Sequence, residues 1–307
     1  MILASSRTAR TARTLTLALV LAPGACWFGC SSSSTEVASG SDAAAEAAPA
    51  GDGGADAPAD ATVAGSGDRI GAVFAISDTT AADGGAKHSY RAGASFTHVT
   101  TPDGTTQSKT VGPCLVETIG DGTPTQEEDL SAGVVHIEGG SKNIDLTPKS
   151  DNTYAPATAA SLLFGGGELL TASADGKDVP AFTTSLTAPS KITLAAPAVA
   201  SGSLTVTRSA GVSATFSGAS SGTVVLYFSA TTATKAYAAT CSFPGGSGSG
   251  MVPAAAFADF PAGDGTFDFY VKESSVAAVA GWEVRFTASK AVVDPAGEAL
   301  AGQVTFQ

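Results

Sequence analysis

Apolar and polar positions alternate with a period of two over much of residues 69–307. Ile70, Ala72, Phe74 and Ile76 recur at every second residue, and Val135 and Ile137 face one way while His136 and Glu138 face the other. Phe267, Phe269 and Val271 alternate with Asp268, Tyr270 and Lys272; Val284, Phe286 and Ala288 alternate with Glu283, Arg285 and Thr287. Successive side chains of a strand point to opposite faces, so the pattern predicts half-buried antiparallel strands. Turn signals punctuate them at Asp83-Gly84-Gly85, Pro102-Asp103-Gly104, Gly120-Asp121-Gly122, Gly139-Gly140, Gly165-Gly166-Gly167, Asp175-Gly176 and Gly245-Gly246. Short strands with frequent turns and little helical periodicity predict an all-β fold built as sandwiches. The exception is Pro253 to Phe260, where a leading proline, three alanines and a closing Pro261 predict one or two helical turns.

A region of this length is too long for one ordinary sandwich and suits two, each of about 100 to 120 residues. Leu186-Thr187-Ala188-Pro189 closes one unit, Ile192 to Leu194 is strand-like, and Ser201-Gly202-Ser203 precedes a fresh set of strands. The expected modules are therefore 69–197 and 198–307. No polar linker separates them, so they should abut.

Ahead of the strands the pattern changes twice. Arg7, Arg10 and Arg13 precede the apolar run Leu15 to Ala22, and Cys26 and Cys30 follow before Ser31 to Ser34. A positive segment and an apolar stretch far shorter than the about 20 residues of a membrane span make residues 1–29 a signal peptide. Residues 30–68 are mainly Ala, Ser, Gly, Asp and Pro, without an aromatic residue, Lys or Arg. Such a segment cannot bury enough apolar surface to offset its conformational entropy, and it reads as a disordered acidic tether. Flexible-coil statistics give it a reach of about 30 to 40 Å, extended further by repulsion among its acids.

Charge sharpens the division. The chain carries 16 basic and 28 acidic residues, a net −12. Loss of the three leader arginines leaves 13 against 28, or −15, and setting aside seven tether acids leaves 13 against 21, or −8, on the body. An acidic body repels nucleic acid and anionic membrane surfaces, so nucleic acid is not an expected partner.

With a small residue before each cysteine, the leader resembles those of bacterial lipoproteins, whose lipobox cysteine receives diacylglycerol. The resemblance implies lipidation at Cys30, where the polar run begins, with Cys26 as the alternative. It also implies a lipid anchor in the cell envelope, and Ser31 beside Cys30 resembles the pattern of outer-membrane sorting. More than one acyl chain gives stable attachment. Farther on, Thr240-Cys241-Ser242-Phe243, Val252-Pro253-Ala254 and Phe260-Pro261-Ala262-Gly263 resemble Ig-like modules of uncharacterised bacterial lipoproteins, which implies a fold and no activity.

Candidate chemistry is sparse. Gly218-Ala219-Ser220-Ser221-Gly222 matches the nucleophile-elbow spacing, but that elbow joins a strand to a helix and needs a later histidine. Here strand-like Val212 to Phe216 and Val224 to Phe228 flank it and no histidine follows, so it is expected at a hairpin tip. His88, His98 and His136 lack ligand spacing and read as strand or surface histidines. Asp121, Glu127, Glu128 and Asp129 could gather calcium if their loop folded back, although a solvated loop is the favoured reading. Phe164-Gly165-Gly166-Gly167-Glu168 is no phosphate loop, since no Lys-Ser/Thr follows. No residue set calls for a cofactor. Cys114 and Cys241 leave two readings open: a bridge between modules in an oxidising compartment, or a buried Cys241 sharing a face with Tyr237, Ala239 and Phe243.

The leading functional expectation is a non-catalytic, membrane-anchored lipoprotein that displays β-sandwich modules for binding an envelope or extracellular protein or glycan, or for envelope structure. A carbohydrate-binding module is the alternative; it needs exposed aromatic platforms, and Trp282 is the only tryptophan beyond the leader. A hydrolase with a carboxylate or calcium site assembled by the fold ranks last.

Overall fold

The computed structural model describes residues 68–307 except 83–84, 102–104, 121–125, 201 and 219–220. The expected signal peptide, Cys26, Cys30, the tether up to residue 67, Asp121 and Ser220 lie outside the described residues. The strands are β1 (Arg69–Ala82), β2 (Gly85–Thr101), β3 (Thr106–Val111), β4 (Cys114–Ile119), β5 (Gln126–Asp129), β6 (Val135–Glu138), β7 (Ile144–Leu146), β8 (Ala157–Ala159), β9 (Leu169–Ala174) and β10 (Phe182–Thr187). They continue with β11 (Thr193–Ala196), β12 (Ser203–Val206), β13 (Val212–Ser217), β14 (Thr223–Thr231), β15 (Ala236–Pro244), β16 (Ser249–Val252), β17 (Gly263–Val279), β18 (Trp282–Ala291) and β19 (Ala301–Phe306). The chain is all-β, as the alternation predicts. The segment Ala254–Phe257 forms a short 3-10 turn that buries Ala256 and Phe257.

One large sheet runs in the order β3-β4-β15-β14-β17-β18-β1-β2-β5, with β19 and β12 joined beside β17 and β8 beside β2. Two smaller sheets, β10-β9-β6-β7 and β11-β13-β16, complete the architecture. Most pairs are antiparallel, but β1 runs parallel to β18 and β12 parallel to β19. For these two pairs the antiparallel expectation is overturned: alternation specifies which face a side chain occupies and not the direction of the strand beside it.

Two apolar cores form. The first gathers Val224, Leu226, Phe228, Phe267, Phe269 and Val271 with Leu194, Phe216, Phe257 and Phe306. The second gathers Val73, Ala75, Phe96, Val284, Phe286 and Ala288 with Val135, Ile137, Leu170 and Phe182. Its aromatic contacts include Phe96 with Trp282 at 6.4 Å and Phe96 with Phe182 at 5.8 Å between ring centres.

β17 links the two cores. Its residues Phe267, Phe269 and Val271 face the first, and two residues per repeat farther along the same face Ala277 and Val279 pack against the second. Both cores therefore lie on one side of the large sheet, and β17 spans both over its length of about 55 Å. The expected boundary between residues 197 and 198 is crossed in both directions. Cys114, Val116, Ile192 and Leu194 enter the first core, whereas Trp282, Val284, Phe286 and Ala288 enter the second.

The opposite side of the large sheet carries half-buried and exposed side chains along β1, β17 and β18, among them Phe74, Ile76, Tyr270, Ser274 and Thr287. Phe74 lies across β2 because its register partner is Gly93; a Cβ there would meet the Phe74 ring at 2.5 Å. The Arg91 guanidinium stands 5.8 Å from the same ring. Cross-strand hydroxyl pairs Ser229 with Thr266 (2.8 Å) and Ser274 with Thr287 (3.0 Å) complete this face.

The turn at Gly218 to Gly222 corrects the hairpin expectation. β13 pairs with β11 and β16, and β14 pairs with β15 and β17, so β13 and β14 belong to different sheets. Ser217 ends a strand of one sheet and Thr223 begins a strand of another. Two adjacent strand-like runs predict a hairpin only when both stay in one sheet, and here each finds its partners elsewhere.

Candidate functional site

Several ionisable side chains altered by the fold, among them Asp78, Asp268 and Lys290, lie on β1, β17 and β18. Lys290 continues the inward series Trp282, Val284, Phe286 and Ala288 and is 6% exposed. In register it stands opposite Val271, at the edge of the first core, and one step beyond Ala288, in the second. Its Nζ donates to the Gly165 carbonyl at 2.6 Å and lies 5.6 Å from the Phe164 ring centre. Burial lowers its pKa, opposed by the nearby charges of Glu168 and Asp78.

Ser77, next along that row on β1, is completely buried. Its hydroxyl donates to the Phe164 carbonyl at 2.9 Å and accepts from the Leu163 and Phe164 amides at 3.1 and 3.2 Å. The glycine-rich loop is thus held by β1 and β18 together. Glu168 closes it from within by accepting from the amides of Gly165 (2.7 Å) and Gly166 (2.6 Å). Burial works to raise the Glu168 pKa, but these amides and Lys290 favour the carboxylate and the net direction is down. The loop's amides at Gly165 and Gly166 hold an anion, the side chain of its own glutamate.

Across the sheet from Lys290 lies a second set. Asp78 accepts from the Ala291 amide at 2.8 Å, and burial raises its pKa against the pull of that bond and of Lys290. Asp268 is pushed up to about 6, by burial first and then by the charge of Asp78. Tyr227, the register partner of Asp268, is raised by burial and by the nearby Glu117 and Asp268 charges, against a hydrogen bond with Ser229. Glu117 is 8% exposed and raised by burial, offset by the Ser108 hydroxyl at 3.4 Å. Of these groups Asp268 can take up and release a proton near pH 6. No nucleophile and base are paired among them.

The residues singled out from the sequence are dispersed. Glu127, Glu128 and Asp129 are exposed on β5. His98 lies between Asp68 (3.6 Å) and Glu128 (3.9 Å), His136 contacts Asp145 at 2.8 Å, and His88 contacts Thr79 at 3.1 Å. Among the described residues, no group of three or more His, Cys, Asp or Glu is arranged to hold a metal ion. Cys114 and Cys241 are brought together: they oppose each other in the register of β4 and β15 and form a disulfide. Both side chains are buried in the first core, so the bridge lies within one core and not between the expected modules, and Cys241 is both bridged and buried. Trp282 is 2% exposed and offers no platform for a ligand.

Lys290 was within reach of sequence reasoning, since extending the Trp282 to Ala288 alternation by one step places a lysine on the buried face. The neighbours of Asp268 were not, because Asp78 lies 190 positions away in the chain. Compared with protein-family models, curated proteins and solved structures, the chain has no match.

Proposed function

We propose that the chain is an exported lipoprotein, anchored by its N-terminal cysteine in the cell envelope, whose β-sandwich body serves binding or envelope structure without catalysis. The observation that carries the binding half of this reading is the large sheet with both cores on one side. Its other side presents side chains from β1, β2, β14, β17 and β18 on one continuous surface. A broad surface of hydroxyls, half-buried aromatic rings and a few charges suits an extended macromolecular partner better than a small substrate. Support for the anchored half comes from the leader, Arg7 to Ala22 followed by Cys26 and Cys30, and the disulfide accords with an oxidising compartment. The buried Trp282 weighs against the carbohydrate-binding alternative.

The anchor is tested by metabolic labelling of the full chain with palmitate. Label is expected in the protein and is lost in Cys30→Ala; loss in Cys26→Ala instead moves the anchor, and an unlabelled protein ends the lipoprotein reading. Binding is tested by cross-linking on intact cells alongside a glycan array. A specific envelope partner that Phe74→Ala weakens supports the open face, whereas hydrolysis of a substrate panel overturns the non-catalytic reading.

A further inference from the structure

β17 is an interior strand for half its length and an edge for the other half. Residues Gly265 to Lys272 pair with β14, while beyond Lys272 no described strand pairs on that side. Glu273 to Val279 thus pair with β18 alone among the described residues. The two-residue turn after Val279 fixes which backbone groups are used. Val279 and Trp282 form the hydrogen-bonded closing pair, so the amides and carbonyls of Ala278, Val276 and Ser274 point away from β18. Directly above, β10 pairs only with β9 among the described residues, and its Thr184 hydroxyl lies 2.8 Å from that of Ser275. Two open strand edges are therefore stacked on one flank.

Soluble β proteins protect such edges with charges, prolines, bulges or brevity. The two ends of the large sheet follow that rule. β5 exposes Glu127, Glu128 and Asp129, and β3 carries Lys109, ion-paired with Asp259. The open part of β17 has a single charge, Glu273 at its start, and none beyond it. Between Ser274 and Val279 every residue is uncharged, as is every residue of β10, in a chain of net charge −12. Two copies repel one another over most approaches and least over this flank. Val276 at its centre is 47% exposed.

We propose that this flank joins two copies of the chain, with Glu273–Val279 of β17 pairing antiparallel to the same segment of a second copy about a two-fold axis at Val276. The outward backbone groups then form the new ladder, Val276 meets its own counterpart, and Ser274 meets Ala278. From Ser274 to Val279 the side chains are small and let the strands approach. The inference does not depend on the membrane anchor or on a binding partner.

Sedimentation velocity on the full chain in non-ionic detergent, across two decades of concentration, provides the test. The wild-type chain is expected to pass from monomer to dimer. Val276→Lys sets like charges opposite each other and is expected to weaken dimerisation at least about tenfold. Val276→Pro removes only an outward amide, so it should give a monomer of unaltered circular dichroism; if that variant fails to fold, Val276→Lys decides the question. Mixing Val276→Lys with Val276→Glu should restore a dimer that neither forms alone. A wild-type chain monomeric at every concentration overturns the proposal, as does a Val276→Lys chain that dimerises like wild type.

Discussion

Cys114 and Cys241 stand opposite each other on β4 and β15 and are covalently joined across 127 positions of sequence. The bridge fastens the β3–β4 hairpin, which precedes most of the first core in the chain, to a strand in the middle of that core. Closing so long a loop removes conformational freedom from the unfolded chain, and a bridge of this kind contributes about 2–4 kcal/mol. Cys114→Ser with Cys241→Ser is expected to lower the urea midpoint accordingly, as is reductant on the wild-type chain. An unchanged midpoint contradicts the bridge.

Asp268 makes stability depend on pH in a defined direction. Its folded pKa of about 6 lies above the ordinary 3.8, so the folded state holds a proton that the unfolded state releases. This contribution is complete below pH 3.8 and is lost as pH rises through 6. Asp268→Asn is therefore expected to raise stability at pH 7.5 by about 1 to 2 kcal/mol after screening, with little effect at pH 3.5. Melting temperatures of both chains at the two pH values check the sign.

Ser77 is the hinge pin of the seam. Its hydroxyl satisfies two amides and one carbonyl of the loop at Leu163 and Phe164. Ser77→Ala leaves the amides buried without that acceptor, and such orphaned groups cost about 1–3 kcal/mol. The expected result is a lower melting temperature with faster hydrogen exchange at Leu163 and Phe164 than at Val284 or Phe286. Uniformly faster exchange would assign Ser77 no local role.

The turn between β17 and β18 is Ala280-Gly281, with φ of 44° and 86°. Both positions of a type I′ turn need positive φ, which glycine and asparagine adopt far more readily than alanine. Ala280→Asn is expected to stabilise the chain by about 0.5–1 kcal/mol, read as a higher melting temperature. No gain would mean that the side chain at 280 is indifferent to the turn.

Strand character was legible from the sequence because alternation is local, and facing was legible where only one parity is apolar: Phe267, Phe269 and Val271 are buried, as are Val284, Phe286 and Ala288. In β1 both parities carry apolar residues, and it is Val73 and Ala75 that enter the core while Phe74 and Ile76 lie on the other face. Partnership was not legible. Nothing in Cys114 to Ile119 indicates that this strand lies against β15, and Gly218 to Gly222 has the composition of a hairpin although β13 and β14 belong to different sheets. Strand pairing is decided by contacts distant in sequence, through packing that periodicity does not encode. The polar seam follows the same division. Lys290 could be placed on its face, whereas the encounter of Asp78 with Asp268 needs the whole sheet.

The strand that faces both cores also limits how this protein can change over evolutionary time. Because β17 contributes Phe267 to one core and Val279 to the other, and because each core draws strands from both ends of the chain, no single cut releases an intact half. Neither half can be duplicated, lost or exchanged as a cassette in the way that beads on a string can. The body is inherited whole.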